Sequence, residues 1–386
     1  MTWFVIAVFA VSVTWWVAQG IFFLRARTGV HRIGTLPLET RTAWPKLSLV
    51  MPARNEAAHL EAALASKIAS TYPNLELVLV DDRSTDETGA IADRFATKDP
   101  RLKVVHLHEL PPGWLGKVHA MAKGFDACTG AFVLFSDADI VIEPGTLERA
   151  VAEADRRQLD FLTIFPTMRL SGLLLTASLA TMFRILVLFT RPWAVRDPRS
   201  SAYMGVGAFN LVRRAALAKT KGLEWLRMET GDDVTLGWMM KRSGAACDVF
   251  LGGRDVHLEF YPSFGTMMRA VEKNGASAPF PALVLASLAM VTCELGYALG
   301  FALGGPFLVA ACLIFVGSAL LNLTIGRWMG YPTWTSPIAS LGVLPFSFVM
   351  VRSATLALVR GGVTWRGTFY PTKVVAESRR LFNTRS

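Results

Sequence analysis

The N-terminal run "MTWFVIAVFAVSVTWWVAQGIFFLRAR" restricts this chain more than any other feature. From Trp3 to Leu24 it carries no charge. A stretch of that length and polarity reads as a bilayer span, where a helix can satisfy its own backbone. A cleaved signal peptide would place positive charge before the apolar run and close it with small residues. Here the charge follows, and no such site closes the run. Composition agrees: 52% of the 386 residues are hydrophobic, only 18% are charged, and the mean hydropathy is +0.38. Residues 1–27 are therefore expected to form a transmembrane anchor.

Arg25, Arg27, His31, Arg32, Arg41 and Lys46 follow the span closely. By the positive-inside rule they place the next segment in the cytoplasm. The net charge of +10 suits a protein resting on an anionic leaflet. No basic block with interleaved aromatics accompanies it, so nucleic acid is not an expected partner. Cys128, Cys247, Cys293 and Cys312 have no metal-like or paired spacing. They read as small buried residues in a reducing compartment.

After Lys46 the pattern becomes one of strands alternating with helices. "LSLVM" (47–51), "LELVLV" (75–80), "KVVHL" (103–107), "AFVLF" (131–135) and "DFLTIF" (160–165) are short and continuously apolar. Between the first two, Leu60, Leu64 and Ile68 recur at helical spacing. This predicts an α/β fold with a mostly parallel sheet covered on both faces. Ligands of such sheets lie beyond the carboxyl ends of the strands. Two strands end there on acids: Asp81 and Asp82 after one, Asp137 and Asp139 after another. Capping of the following helix, with Ser84 or Thr85 as the cap, is the plain alternative for the first pair. For the second pair, no Lys or Arg nearby in sequence offsets the repulsion. A hard cation such as Mn²⁺ or Mg²⁺ would, since it takes one or two carboxylates and fills its shell with water and phosphate.

Further apolar runs follow. "LSGLLLTASLATMFRILVLFTRPWAVR" is interrupted by Arg184 and Arg191. It is read as interfacial helices near 170–196 with arginines at headgroup depth, because a crossing would separate Asp232 and Asp233 from Asp137 and Asp139. Phe280–Leu303 and Pro306–Ile325 read as two spans joined by "GGP". Ile338–Val359 contains Pro345 and Arg352 and precedes a basic tail, which favours a hairpin turning back at Pro345. The expected domains are thus 1–27, a cytoplasmic catalytic domain at 45–279, a membrane region at 280–359 and a cytoplasmic tail at 360–386.

Five motifs stand in order: "MPARNE" (51–56), "VDDRSTD" (80–86), "GWLGKVHA" (113–120), "SDAD" (136–139) and "ETGDDVTLGWMMKRSG" (229–244). As a set, over roughly residues 45–275, they resemble the family-2 glycosyltransferases with a GT-A fold. The likeness is to the membrane-attached branch that includes ceramide glucosyltransferases and hopanoid-associated glycosyltransferases, and "GVTWRGTFYP" (362–371) extends it. The resemblance implies a Rossmann-like sheet and an inverting transfer of one sugar from a UDP-sugar to a membrane lipid hydroxyl. It implies that Pro52, Arg54, Asn55, Glu56, Asp81 and Asp82 hold the nucleoside. Lys117 would lie near the diphosphate, with a solvated helix-start lysine as the alternative. Asp137 and Asp139 would hold the sugar side and the metal, Asp139 more directly.

The same resemblance makes Asp233, or next to it Asp232, the base that takes the acceptor proton. A positioned base of this kind contributes roughly 10²- to 10⁴-fold of rate. A Gln/Arg-x-x-Arg-Trp motif found in many processive relatives is missing, which favours single-sugar transfer. Arg269 and Lys273, four residues apart on an expected helix face, either replace its diphosphate contact or snorkel at the interface. Gly205 and Gly207 sit beside the sugar pocket in family members; a tight turn would also explain them. The histidines show no site pattern. Transfer to a polyprenyl phosphate, which needs no base, is the alternative enzyme reading; a non-enzymatic scaffold or transporter leaves the strand-end acids unexplained. The expected location is the plasma membrane, multi-pass, with the catalytic domain cytoplasmic.

Overall fold

The structure is a computed structural model that describes residues 2–276, 278–365 and 367–378. Arg366, Arg379, Arg380 and Arg385 of the basic tail, and Ser386, lie outside the described residues. The chain forms two compact units. One comprises Gly29–Thr167 with Pro192–Leu258; the other comprises the N-terminal segment to Thr28, Met168–Arg191 and the chain from Glu259.

The first unit is built on an eight-stranded sheet. Its order is 31–32, 247–251, 161–165, 210–213, 132–135, 47–53, 75–82 and 102–107. Only Asn210–Arg213 runs antiparallel to its neighbours. Leu47, Leu49, Val50 and Met51 of one central strand, and Leu77 to Val80 of the next, are wholly buried. Continuous burial is what a strand covered on both faces requires, and it accounts for the unbroken apolar runs. The register pairs Ala53 with Asp81 and Val50 with Phe135. Three neighbouring strands therefore deliver "ARNE", the Asp81–Asp82 pair and the Asp137–Asp139 turn to one edge.

The expected strands and the helix Ala57–Ile68 are present. The next helix starts later than expected, at Thr88. Neither Ser84 nor Thr85 caps it; Asp86 accepts the Thr88 N–H at 3.0 Å and the Ala57 N–H at 3.1 Å. One carboxylate thus ties two helix starts together. Ser84 and Thr85 instead bond to Asn55.

The second unit is helical. Among the described residues, five helices are long and apolar enough to cross a membrane: Trp3–Gly29, Leu173–Ala194, Phe280–Leu303, Gly305–Met329 and Ser336–Arg360. Val11, Val17, Leu285, Leu313, Val316 and Leu320 are exposed on them, as expected of lipid-facing positions. Strands 161–165 and 210–213, which lie before and after the helix Leu173–Thr190 in the chain, pair with each other in the eight-stranded sheet. Pro345 does not turn the chain back. It lies in the first turn of the unbroken helix Val343–Arg360, where its missing N–H has no intrahelical partner to lose. Cys312, expected to be buried, is exposed on Gly305–Met329.

Arg184 also departs from expectation. It is fully buried, with Glu294 fully buried against it at 2.8 Å. The guanidinium also donates to Gln19 Oε1 (3.2 Å), Asn322 Oδ1 (3.1 Å) and the Ala339 carbonyl (3.2 Å). Glu294 accepts from the Trp15 indole and from Gln19, both at 2.9 Å. The Trp16 indole donates to its carbonyl oxygen at 3.1 Å. This explains two tryptophans in the middle of an apolar helix. Breaking a buried pair strands one charge, whereas replacing both partners removes the desolvation penalty too. Glu294→Gln is expected to cost about 3–5 kcal/mol, read as a lowered Tm in detergent. The double substitution Arg184→Met with Glu294→Met should recover most of that loss. A double variant no more stable than Glu294→Gln would contradict this assignment.

Candidate active site

The sheet edge gathers charges far apart in sequence. Lys117, on the first turn of helix Gly116–Ala127, places its ammonium 2.7 Å from Asp137 and 3.3 Å from Asp232. It is not a solvated lysine. Burial alone would lower its pKa, but Asp137, Asp232 and Asp233 outweigh that and hold it above the usual lysine range. A second ammonium lies behind the Asp137–Asp139 turn. Lys67 is buried on helix Ala57–Ile68 and donates to the Ile140 carbonyl at 2.7 Å and, more weakly, to that of Asp137 at 3.5 Å. Burial pulls its pKa down to about 8, with Asp139 and Asp137 opposing. Sequence proximity gave no hint of either lysine; both arrive through the fold.

Asp139 stays under pressure despite them. Burial, then the charges of Asp137 and Glu56, push its carboxyl up to about 6. Two oxygen-donor side chains one residue apart, one resisting ionisation, suit a hard cation that completes its shell with water and phosphate. A Cβ on Gly207 would come 2.6 Å from Asp137 Oδ2, so the open space beside that oxygen depends on glycine. Among the described residues no group of three or more His, Cys, Asp or Glu converges on a metal position. Asp137 and Asp139 alone would leave most of a hard cation's coordination shell to water and ligand oxygens.

The second acid pair begins helix Asp232–Arg242. Asp232 is buried against Lys117, and Asp233 is half-buried. Asp233 accepts the Gly207 N–H and the Val234 N–H, each at 2.8 Å. A Cβ on Gly205 would collide with the Asp233 carbonyl, and one on Gly237 with the Met204 carbonyl. The glycines of "MGVG" thus bring this loop into backbone contact with the helix, as well as making a turn.

At the other end of the edge, Arg83 grips Asp82 with two bonds of 2.8 and 3.0 Å. Arg54 stands 3.7 Å from the same carboxylate. Asn55 and Arg83 adopt left-handed backbone, with φ of 53° and 56°, a strained choice for non-glycine residues that often marks ligand sites. The Glu56 N–H donates to Thr88 Oγ1 at 2.8 Å. Asp81 accepts the Ser84 N–H at 3.2 Å and faces His106 at 3.0 Å. His106 escaped the sequence reading because a lone strand histidine carries no motif. Pro52 pairs beside Val80 in the sheet.

Residues 48–220 match the family model described as Glycosyl transferase family 2. This segment carries a family 2 glycosyltransferase domain. Over 116 residues the chain is 30% identical to the uncharacterized glycosyltransferase EpsJ of Bacillus subtilis, covering 30% of this chain and 32% of that protein. Over 111 residues it is 40% identical to a PGL/p-HBAD biosynthesis glycosyltransferase of Mycobacterium bovis, covering 28% of this chain and 42% of that protein. The chain spans well under half the length of the curated relatives it matches. The fold is shared with the mannosyltransferase PcManGT from Pyrobaculum calidifontis, solved with GDP-Man and Mn²⁺. The two superpose with a TM-score of 0.53 at 20% identity, over 89% of this chain and 97% of that one. The α/β unit is GT-A-like.

Within the family 2 domain, "ARNE", Asp81–Asp82, Lys117 and Asp137–Asp139 share one sheet edge. Asp232 and Asp233 follow just beyond the matched segment and join it through Lys117 and Gly207. Arg269 and Lys273 belong to the helical unit and do not share a continuous α-helix, which ends at Val271. Lys273 lies over the Trp365 ring, 4.6 Å from its centroid. Because the raised Asp139 pKa marks an ionised form held at a cost, Asp139→Asn is expected to stabilise the metal-free protein at neutral pH, read as a higher Tm. Mn²⁺ should raise the Tm of the wild type and not of the variant. A lower Tm for metal-free Asp139→Asn would show that this carboxylate is instead a stabilising contact.

Proposed function

We propose that this protein is an inverting glycosyltransferase that moves one sugar from a UDP-sugar to the hydroxyl of a membrane lipid. The observation that carries the reading is the bridge from Asp137 through Lys117 to Asp232. It joins a strand-end acid on the donor side to the acid pair suited to the acceptor, at the ligand-binding edge of a GT-A-like sheet.

In this reading Arg54, Asn55, Glu56 and Asp81 surround the nucleoside, with Asp82 holding Arg54 and Arg83 in place. Asp137 and Asp139 would hold Mn²⁺ or Mg²⁺, which supplies Lewis-acid stabilisation of the departing diphosphate when bound. Lys117 adds fixed positive charge at the same place. The acceptor oxygen attacks C1 of the sugar as the bond from C1 to the diphosphate oxygen breaks, and the nucleotide leaves with that electron pair. The hydroxyl proton passes to Asp233. Of the two acids Asp233 suits this role better: it is half-buried, whereas Asp232 is buried and paired with the Lys117 ammonium.

The five apolar helices support a lipid acceptor of ceramide-, hopanoid- or diacylglycerol-like type. They also support a multi-pass protein of the plasma membrane. Arg25 and Arg27, at the end of the first apolar helix, support a cytoplasmic catalytic domain. One observation favours the polyprenyl-phosphate alternative: both oxygens of Asp233 accept main-chain N–H groups, as a purely capping acid would.

Expression in a host lacking the glycolipid, followed by mass spectrometry of its lipids, tests the activity, with Asp139→Asn as the control. A new hexosylated lipid that requires Asp139 is expected; an unchanged lipid profile, with no hydrolysis of UDP-sugars by the purified protein, would contradict the reading. Asp233→Asn should keep nucleotide affinity while kcat falls by about 10²-fold or more. If Asp233→Asn stays active and Asp232→Asn is dead, the base is Asp232. Activity in both variants would favour a phosphate acceptor.

A further inference from the structure

His106 sits directly beside Asp81 in the register of adjacent parallel strands. Its Nδ1 lies 3.0 Å from Asp81 Oδ2, and its Nε2 lies 3.1 Å from Asp93 Oδ1 on helix Thr88–Ala96. A neutral imidazole has one N–H and one lone pair. With a carboxylate oxygen at each ring nitrogen, a neutral ring would set a lone pair against an anion on one side. Only the imidazolium satisfies both contacts. The backbone closes over the arrangement: a Cβ on Gly89 would stand 2.8 Å from Asp81 Oδ2 and 3.4 Å from the His106 ring.

We propose that His106 is a positioning residue for the donor site, holding the Asp81 carboxylate in the orientation that meets the nucleoside. This rests on the reading of Asp81 as a nucleoside-binding residue. With one oxygen of Asp81 on His106 and the other on the Ser84 N–H, the carboxylate is fixed at both ends. Each oxygen still keeps a lone pair for a ligand N–H or hydroxyl. The charged groups facing His106 are Asp81 from the neighbouring strand and Asp93 from the helix. On its own strand, Lys103 projects to the opposite face by alternation.

The sign of the pH dependence follows. The hydrogen bond to Asp81 raises the His106 pKa above the usual histidine value; burial opposes this, and Asp93 adds to the increase. The imidazolium, and with it the grip on Asp81, persists below that raised value and is lost as pH rises through it. Nucleotide affinity should weaken over the same interval. Asp93 is an exposed helix residue outside the nucleotide-binding set, so Asp93→Asn removes one supporting charge and should move the weakening to lower pH.

The test is calorimetric titration of the full-length protein with UDP and with GDP, each with Mn²⁺, between pH 6 and 9. The tighter nucleotide then serves for the variants. For the wild type, Kd should rise by about tenfold across the imidazole titration, equivalent to one unit of pKa difference between bound and free states. Asp93→Asn should show the same rise displaced to lower pH, and His106→Gln should bind weakly with little pH dependence. Identical pH profiles for wild type and Asp93→Asn, or full affinity in His106→Gln, would overturn the role of His106 alone. Failure of the wild type to bind either nucleotide would overturn the donor-site reading, and this proposal with it.

Discussion

Like charges crowded at one sheet edge are the constraint that organises the α/β unit. Asp137, Asp139, Asp232 and Asp233 converge there because three parallel strands end together and an acid-headed helix packs against them. Left alone, such a cluster would favour protonation or local opening. The ammonium of Lys117 takes the central position among Asp137, Asp232 and Asp233, and Lys67 supports the Asp137–Asp139 turn from the buried side. Asp139 still resists ionisation. Four carboxylates against two ammoniums leave an excess of negative charge at this edge, which favours a species bringing further positive charge together with oxygens to share it.

Close backbone approach turns that electrostatic cluster into a defined geometry. Gly205 and Gly237 let the loop before Asn210–Arg213 meet the first turns of helix Asp232–Arg242, backbone against backbone. Only then can the Gly207 N–H reach the Asp233 carboxylate. A similar device operates on the nucleoside side, where Asn55 and Arg83 in left-handed conformation fold two loops against each other through Ser84 and Thr85. In the helical unit the organising contact is the Arg184–Glu294 pair, which draws bonds from several helices into an otherwise apolar interior.

The parallel sheet is legible in the sequence because buried strands leave unbroken apolar runs, and the helix Ala57–Ile68 because its leucines recur at four-residue spacing. The acids at strand ends are legible for the same reason: a strand's boundary fixes where its last side chain stands. What could not be read is every pairing made by the tertiary fold. Nothing around Lys67 or Lys117 announces that each will face Asp137, and nothing around His106 announces two carboxylates. Arg184 reads as interfacial by hydropathy, because its partner Glu294 lies more than a hundred residues away. Pro345 reads as a chain reversal because helix-breaking depends on position, and the first turn tolerates what the interior does not.

The account depends on the Asp137–Asp139 turn and Lys117 forming one receptor for a nucleotide diphosphate and a cation. Linkage gives this its most direct test: if both ligands occupy one site, each must tighten the other by the same factor. The measurement is the calorimetric Kd of UDP or GDP with and without saturating Mn²⁺, paired with that of Mn²⁺ with and without saturating nucleotide. A reciprocal gain of at least about tenfold, worth ~1.4 kcal/mol, is expected. Nucleotide affinity that is the same in Mn²⁺ and in excess chelator would contradict it.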